Sequence, residues 1–160
     1  SASNDVNIRK LSPLQHAAYE NHPEDLDLAI KSNEYDLNQK DFHNGQTPLH
    51  HVVEGGYMEC LKILLLTHSV DVNARDYEGE SVLQTAVLSG HVEACRLLMI
   101  HGADPDGEDL DGDSARSCAL ESDSSPQLKA LFRQMGAIEK KREHPTVRFF
   151  RKRMFSAMCC

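Results

Sequence analysis

TPLHHVVEGGYMECLKILL, residues 47–65, contains two short apolar helical patterns separated by a pair of glycines. Pro48 suits the first position of a helix, because its φ angle is already helical and its missing N–H is not needed there. Thr47 is a suitable cap before it. Gly55 and Gly56 end the first helix and allow the chain to reverse. The stretch therefore predicts a unit of two helices joined by a turn.

The chain repeats this unit at nearly constant spacing. Thr47 aligns with Ser12, Ser81 and Ser114, at successive offsets of 35, 34 and 33 residues. The extra residues fall in loops, where added length costs little. One such pair of helices is too small to bury its own apolar face, so the units must stack on one another. We therefore predict an all-α solenoid with first helices near 12–20, 47–54, 81–88 and 114–121.

The repeated unit resembles the ankyrin repeat. Its marks are Thr-Pro-Leu-His at 47–50, a glycine that ends the first helix, His-Gly-Ala-Asp at 101–104 and Asp-x-x-Gly in the loops. The resemblance covers residues 12 to about 137 and is closest in the second and third copies. In the fourth copy Arg116 stands where the others have leucine, as suits a terminal repeat with a polar outer face. The resemblance implies that His50 and His91 are framework residues.

Three segments follow from this reading. Residues 1–11 are predicted to be the remnant of a preceding loop or an N-terminal cap, residues 12–139 the ankyrin-repeat domain, and residues 140–160 a basic, aromatic tail. Residues 140–153 hold seven Lys or Arg against one Glu, a net charge of +6. Because the whole chain carries −8, the remainder carries −14. The sequence thus predicts an acidic body with a basic tail.

Length and composition fit a single stacked array. Of the 160 residues, 40% are hydrophobic and 26% are charged, as in ordinary globular proteins. No apolar run approaches the roughly 18 to 20 residues that a membrane helix needs, and the first residues show no signal-peptide pattern. The five cysteines form no paired framework of the secreted type, which predicts reduced thiols. We expect an intracellular protein in the cytoplasm, with the nucleus as a second location.

Ankyrin repeats bind through their loop tips and the exposed side of each first helix, which together line a concave groove. Carried over position by position, this surface comprises Tyr19, Glu20, Phe42, His43, Glu54, Tyr77, Glu78, Glu80, Leu88, Ser89, Leu110, Asp111, Asp113 and Glu121. The set combines carboxylates with aromatic and aliphatic side chains. It predicts a strip that binds a basic, partly apolar segment of a partner protein.

The tail contains such a segment, VRFFRKRMFSAM at 147–158, in which Arg148, Phe149, Phe150, Arg151 and Phe155 stand close together. One hypothesis is that the tail occupies the groove, within one molecule or between two. Others are the start of a further domain, a basic membrane or calmodulin-type segment with Cys159 and Cys160 as acylation sites, and a nuclear-import or nucleic-acid patch. Val147-Arg148-Phe149 also resembles the core of the docking motif of protein phosphatase 1 regulators.

No motif predicts catalysis or a cofactor. The acidic stretch 104–113 fails as a calcium loop, because its spacing puts Asp109 at the sixth position, where glycine is needed. The histidines and cysteines form no pair of ligand pairs with zinc spacing. There is no nucleophile elbow and no glycine-rich phosphate loop. We therefore predict no enzyme activity, no cofactor, no metal and no small-molecule substrate.

Asn73 has two readings. Together with Leu65 and Asp71 it matches the pattern that the cytosolic asparaginyl hydroxylase recognises in ankyrin repeats, which predicts hydroxylation of Asn73. The other reading, which we favour, is that its side chain serves the backbone hydrogen bonds of the loop.

The function predicted from the sequence is a non-catalytic scaffold for protein–protein interaction. One alternative is an inhibitory or targeting subunit of a kinase or phosphatase. Another is binding to a membrane surface or nucleic acid through the tail.

Overall fold

The structure, a computed structural model, describes residues 11–121 and 124–142, with side chains as far as Gly136. Within these residues it forms helices in pairs and no strand, which confirms the predicted all-α solenoid. The helices are α1 (Pro13–Tyr19), α2 (Pro23–Ser32), α3 (Pro48–Glu54), α4 (Met58–Leu66), α5 (Val82–Leu88), α6 (Val92–Ile100), α7 (Ala115–Leu120) and α8 (Pro126–Arg142). No helix in the described ranges has the length and apolar character needed to cross a bilayer.

The four first helices begin in the same way. The Ser81 hydroxyl accepts the backbone N–H of Gln84 at 3.2 Å, and the Ser81 N–H donates to the Gln84 side-chain oxygen at 3.0 Å. The same reciprocal pair recurs as Ser12–Gln15, Thr47–His50 and Ser114–Ser117. Each pair satisfies backbone groups that a helix start leaves without partners. These caps fix where each repeat starts.

Equivalent apolar residues of successive repeats form continuous buried rows. Leu14, Leu49 and Leu83 of the first helices are at most 1% exposed. Leu26, Leu61, Cys95 and Leu128 form the matching row of the second helices. The first helices α1, α3, α5 and α7 each pack on the next. Each buried leucine contributes about 2 kcal/mol, so every repeat is stabilised by its neighbours.

Asparagine side chains connect each repeat to the next outside the core. Asn38 accepts the backbone N–H of Asp71 at 2.8 Å and donates to the Ser69 carbonyl at 2.9 Å. Asn73 accepts the N–H of Asp104 at 2.8 Å and donates to the Gly102 carbonyl at 3.2 Å. Both amide ends of each side chain are therefore used to hold the following loop.

The fourth repeat differs from the others both in the leucine row of the first helices and at the asparagine position. Asp106 replaces the asparagine and makes a two-pronged ion pair with Arg116, at 2.6 and 3.2 Å. Arg116 occupies the position of Leu14 in the first row and also approaches the Phe132 carbonyl. A half-exposed ion pair thus replaces a buried leucine, which agrees with the polar outer face expected for this repeat.

Helix α8 is longer than the other second helices and ends at Arg142. It runs through residues 139 and 140, where the sequence predicts the boundary between the repeats and the tail. Gly136 lies against the Arg116 guanidinium, since a Cβ at this position would come within 2.9 Å of Nη1. Arg116 stands at the start of α7, so α8 leads back to the end of the repeat where the loops begin. Residues 1–10 and 143–160 lie outside the described part, and the three-segment division stays a prediction.

Candidate partner-binding surface

Three loops, 41–46, 76–80 and 109–113, precede the first helices of the second, third and fourth repeats. Each begins with an aspartate whose N–H donates to the last carbonyl of the loop, as Asp76 does to Glu80 at 3.0 Å. The Asp76 carboxylate also accepts the N–H groups of Glu78 and Glu80, both at 2.9 Å. The loop is therefore closed around its own aspartate, and the next residue is left at the tip.

The residues at the three tips form an exposed apolar row, which consists of Phe42, Tyr77 and Leu110. Their exposed fractions are 80%, 58% and 79%. The tips are in direct contact, because the Tyr77 N–H donates to the Asn44 carbonyl at 2.8 Å and the Leu110 N–H donates to the Glu78 carbonyl at 3.2 Å. The apolar row is thus one continuous ridge.

Tyr77 also has a structural task that the sequence does not indicate. Its hydroxyl donates to the Asp41 carbonyl at 3.3 Å, and its ring covers Gly45. A Cβ at residue 45 would come within 2.5 Å of this ring. One face of Tyr77 therefore seals the neighbouring loop, and only the rest of the side chain remains for a partner.

Beside the apolar row lies an acidic depression of about 290 Å³ between the second and third repeats. Its lining consists of Asn44, Gln46, Glu54, Asp76, Glu78, Glu80, Thr85, Leu88 and Ser89. Four of these are carboxylates and none is Lys or Arg. Glu54, Glu78, Glu80, Leu88 and Ser89 were predicted from their place in the repeat, and the structure brings them together here.

Glu80 is a partly buried carboxylate of the acidic depression. Partial burial raises its pKa from the usual value of 4.5, and the nearby Asp76, Glu78 and Asp109 raise it further. A hydrogen bond from the Thr85 hydroxyl, at 2.7 Å, acts in the opposite direction. A cationic group placed beside Glu80 would lower this pKa again, because it favours the charged carboxylate.

Two histidines contact the backbone carbonyls of residues that line the acidic depression. His50 Nε2 lies 3.4 Å from the Glu80 carbonyl, and His91 Nε2 lies 3.1 Å from the Glu54 carbonyl. His50 is fully buried, and burial lowers its pKa from 6.5 to about 4. Its Nδ1 accepts from Thr47, so the neutral imidazole with its proton on Nε2 fits both ends. These contacts agree with the framework role expected for the two histidines.

A buried contact between His51 and Asp41 supports the first loop. His51 Nε2 lies 2.9 Å from the Asp41 carboxylate, and both side chains are at most 10% exposed. Burial tends to raise the pKa of Asp41, but hydrogen bonds from the N–H groups of Asn44 and His43, together with His51, outweigh it and lower the pKa below 3.8. Tyr19 packs edge-on against His51, with ring centroids 5.6 Å apart.

The remaining predicted residues lie around these features. Tyr19 is 44% exposed and lies at the surface beside His51. His43, Asp111 and Asp113 are exposed in the first and third loops. Glu20 and Glu121 follow α1 and α7, in the outermost repeats, so they flank the acidic depression without lining it. The predicted strip is therefore a ridge, a depression and two acidic flanks.

Sequence reasoning missed four residues of the acidic depression: Asn44, Gln46, Asp76 and Thr85. Asp76 aligns with Asp41 and Asp109, so its turn role was visible but its exposure on the wall was not. Gln46 lies just before α3 and Thr85 lies within α5, and both side chains are largely buried. The signal that could have identified them is that they lie on the same side of the repeat as Glu54 and Glu80.

Other predicted sites have a mixed outcome. Asn73 is exposed, but both ends of its amide hold the next loop, and its hydroxylation stays a prediction. Among the described residues no group of His, Cys, Asp or Glu has the arrangement of a metal site. Arg148, Phe149, Phe150, Arg151 and Phe155 lie outside the described residues, as do Cys159 and Cys160.

Comparisons with known proteins agree with this architecture. A family model described as ankyrin repeats, in three copies, matches residues 14–109. A segment of 42 residues is 48% identical to the potassium channel AKT3 of Oryza sativa subsp. japonica; it covers 26% of this chain and 5% of that channel. Ankyrin repeats generally mediate protein–protein interactions and are typically non-catalytic modules. With its stacked helix pairs, capped first helices and matching family model, the chain belongs to the ankyrin-repeat family.

Proposed function

We propose that this protein is a non-catalytic scaffold that binds a basic, partly apolar segment of a partner protein. The binding site is the apolar row together with the acidic depression, which we call the partner-binding surface. The observation that carries the proposal is that the exposed ridge of Phe42, Tyr77 and Leu110 runs directly beside four carboxylates. A segment with alternating cationic and apolar side chains can use both features at once.

The two parts of the surface contribute differently to binding. Phe42 and Leu110 project almost fully into solvent, so covering them removes apolar area from water and supplies affinity. The carboxylates select cationic side chains and orient the segment. The charge of −14 outside the tail also draws basic partners towards the molecule, an effect that salt weakens.

A binding measurement with matched variants tests this proposal. The probe is a short peptide in which Arg and Phe alternate, titrated against the full chain. Leu110→Ser should weaken binding about tenfold, because one exposed anchor is lost. Leu66→Ser is the control, since Leu66 is equally exposed, at 76% against 79%, but lies at the end of second helix α4. Equal effects of the two variants would contradict the proposal.

Binding of a kinase or phosphatase, of lipid vesicles and of nucleic acid, measured with the same variants at low and moderate salt, separates the alternatives predicted from the sequence. A scaffold that serves as an inhibitory or targeting subunit of a kinase or phosphatase should retain its enzyme in moderate salt. Binding to lipid or nucleic acid through the tail should fall steeply with salt, because it depends on phosphate contacts. It should also be indifferent to Leu110→Ser, which leaves the tail unchanged.

A further inference from the structure

One segment of the same chain, residues 147–158, has a sequence whose chemistry complements the partner-binding surface. We propose that residues 147–158 occupy this surface within the same molecule and compete with the partner, so that the protein restrains its own binding. This inference rests on the proposed function, because it assigns a second ligand to the same site.

Charge and apolar character both match. Residues 148–153 hold Arg148, Arg151, Lys152 and Arg153 and no acidic residue. The acidic depression presents four carboxylates without a lysine or arginine in its lining. Three phenylalanines between 149 and 155 alternate with the cations, as the apolar row alternates with carboxylates along the loops. Burial raises the pKa of Glu80, and Asp76, Glu78 and Asp109 raise it further, so a guanidinium beside these carboxylates would stabilise their charged forms.

Helix α8 runs towards the side of the fourth repeat where the third loop begins. Gly136 lies against Arg116 at the start of α7, and Arg116 is paired with Asp106 just before the third loop. The six further residues to Arg142 add about 9 Å of helix in this direction. From Arg142 to Val147 the chain can then span up to about 17 Å. Helix α8 therefore runs past the Arg116–Asp106 pair, which lies just before the third loop, and a connection of this length suits the proposed contact.

Attachment through a short connection makes even weak contacts effective. Linkers of a few residues produce effective concentrations in the millimolar range when they can span the distance. A tail that binds with a dissociation constant of about 0.1 mM as a free peptide would then lower the affinity for an external ligand about tenfold. Within one molecule this competition does not depend on protein concentration, unlike an exchange of tails between two molecules.

The test compares full-length chains that differ only in the tail. One variant carries Arg148→Ser, Arg151→Ser, Lys152→Ser and Arg153→Ser, and a second carries Phe149→Ser, Phe150→Ser and Phe155→Ser. The control carries Lys140→Ser and Lys141→Ser, which removes cations that precede the segment. The probe is the alternating Arg–Phe peptide. Both tail variants should bind the probe about tenfold more tightly than the parent chain, whereas the control should change affinity by less than about twofold.

The outcomes separate the two proposals. If the tail variants and the parent bind the probe with equal affinity, the tail does not occupy the surface, although the surface remains a binding site. If no chain binds the probe, the proposed function itself is wrong. If the tail variants bind more tightly but the parent sediments as a dimer at the assay concentration, the tail acts between molecules and the proposal of a single-molecule contact is overturned.

Discussion

At the scale of single residues, the chain performs one structural task with different side chains in successive repeats. Gln84 donates its amide to the Asp113 carbonyl at 3.0 Å, behind the third loop. His50 makes the equivalent contact to the Glu80 carbonyl at 3.4 Å with an imidazole. Unlike an amide, an imidazole can gain a proton. The second repeat is therefore sensitive to acid at a point where the third is not.

His50→Gln should remove part of the acid sensitivity of the fold. The pKa of His50 is about 4 in the folded state, against 6.5 when exposed, so between these values the unfolded chain binds the proton and the folded chain does not. Stability from this group is complete above about pH 7 and is lost as the pH falls, by about 2 kcal/mol at pH 5. Urea unfolding at pH 7 and pH 5 measures the difference between parent and variant.

The variant should match the parent at pH 7 to within about 1 kcal/mol, since Gln84 shows that an amide fits the position. At pH 5 it should lose about 2 kcal/mol less than the parent does. Parallel losses in the two proteins would show that His50 does not titrate between the folded and unfolded states.

At the scale of elements, the loops depend on their neighbours as well as on their own turns. Gly45 and Gly112 occupy equivalent places in the first and third loops, with φ angles of +77° and +86°. The Tyr77 ring lies over Gly45, whereas among the described residues no atom other than those of Gly112 and its chain neighbours lies within 4 Å of a Cβ at Gly112. The two glycines thus share a backbone requirement but differ in the space around them.

Gly112→Ala should cost about 1 to 2 kcal/mol of unfolding free energy, because a left-handed conformation is strained for alanine. Gly45→Ala should cost at least about 1 kcal/mol more, since it also displaces the Tyr77 ring. Denaturant unfolding of both variants measures this difference. In a Tyr77→Ala background the extra cost should disappear; if it persists, the contact with Tyr77 is not its cause.

At the scale of the whole molecule, the repeat pattern made the fold predictable but only part of the site. The offsets of 35, 34 and 33 residues fixed the four units, and the first helices lie where these offsets placed them. Phe42 and Leu110 were also predictable, because the residue after a turn aspartate is left at the tip. These features depend on local sequence alone.

The rest of the candidate site could not be predicted, because it depends on side-chain contacts between repeats. Nothing in the sequence around Tyr77 indicates that its ring seals Gly45, which lies 32 residues earlier. The contact of Tyr19 with the His51–Asp41 pair likewise joins three separate elements. Asp76 lines the acidic depression together with Asn44, Gln46 and Glu54, which belong to the preceding repeat and its loop. The repeated pattern shows which residues are equivalent, but it does not show the side-chain contacts between neighbouring repeats.

The charge on the partner-binding surface should control binding of basic ligands. Glu54→Gln combined with Glu78→Gln removes two exposed carboxylates of the acidic depression. Affinity for the alternating Arg–Phe peptide should fall about threefold to tenfold at low salt, and the difference should shrink as salt is added. Glu24→Gln combined with Glu34→Gln is the control, since these residues belong to the first repeat and its loop. An equal loss in the control would mean that only net charge matters.

The pairing of Asp106 with Arg116 has a consequence for how such a chain can grow by gene duplication. Copying residues 73–105, which contain Asn73 and Leu83, supplies another bridging amide and another leucine, so a lengthened array keeps a continuous buried row. Copying the fourth unit instead would place a guanidinium and a carboxylate inside that row, away from water. Ancestral chains could therefore gain units in the middle far more readily than after the last one, and an insertion of each kind, compared by its urea midpoint, would show the asymmetry.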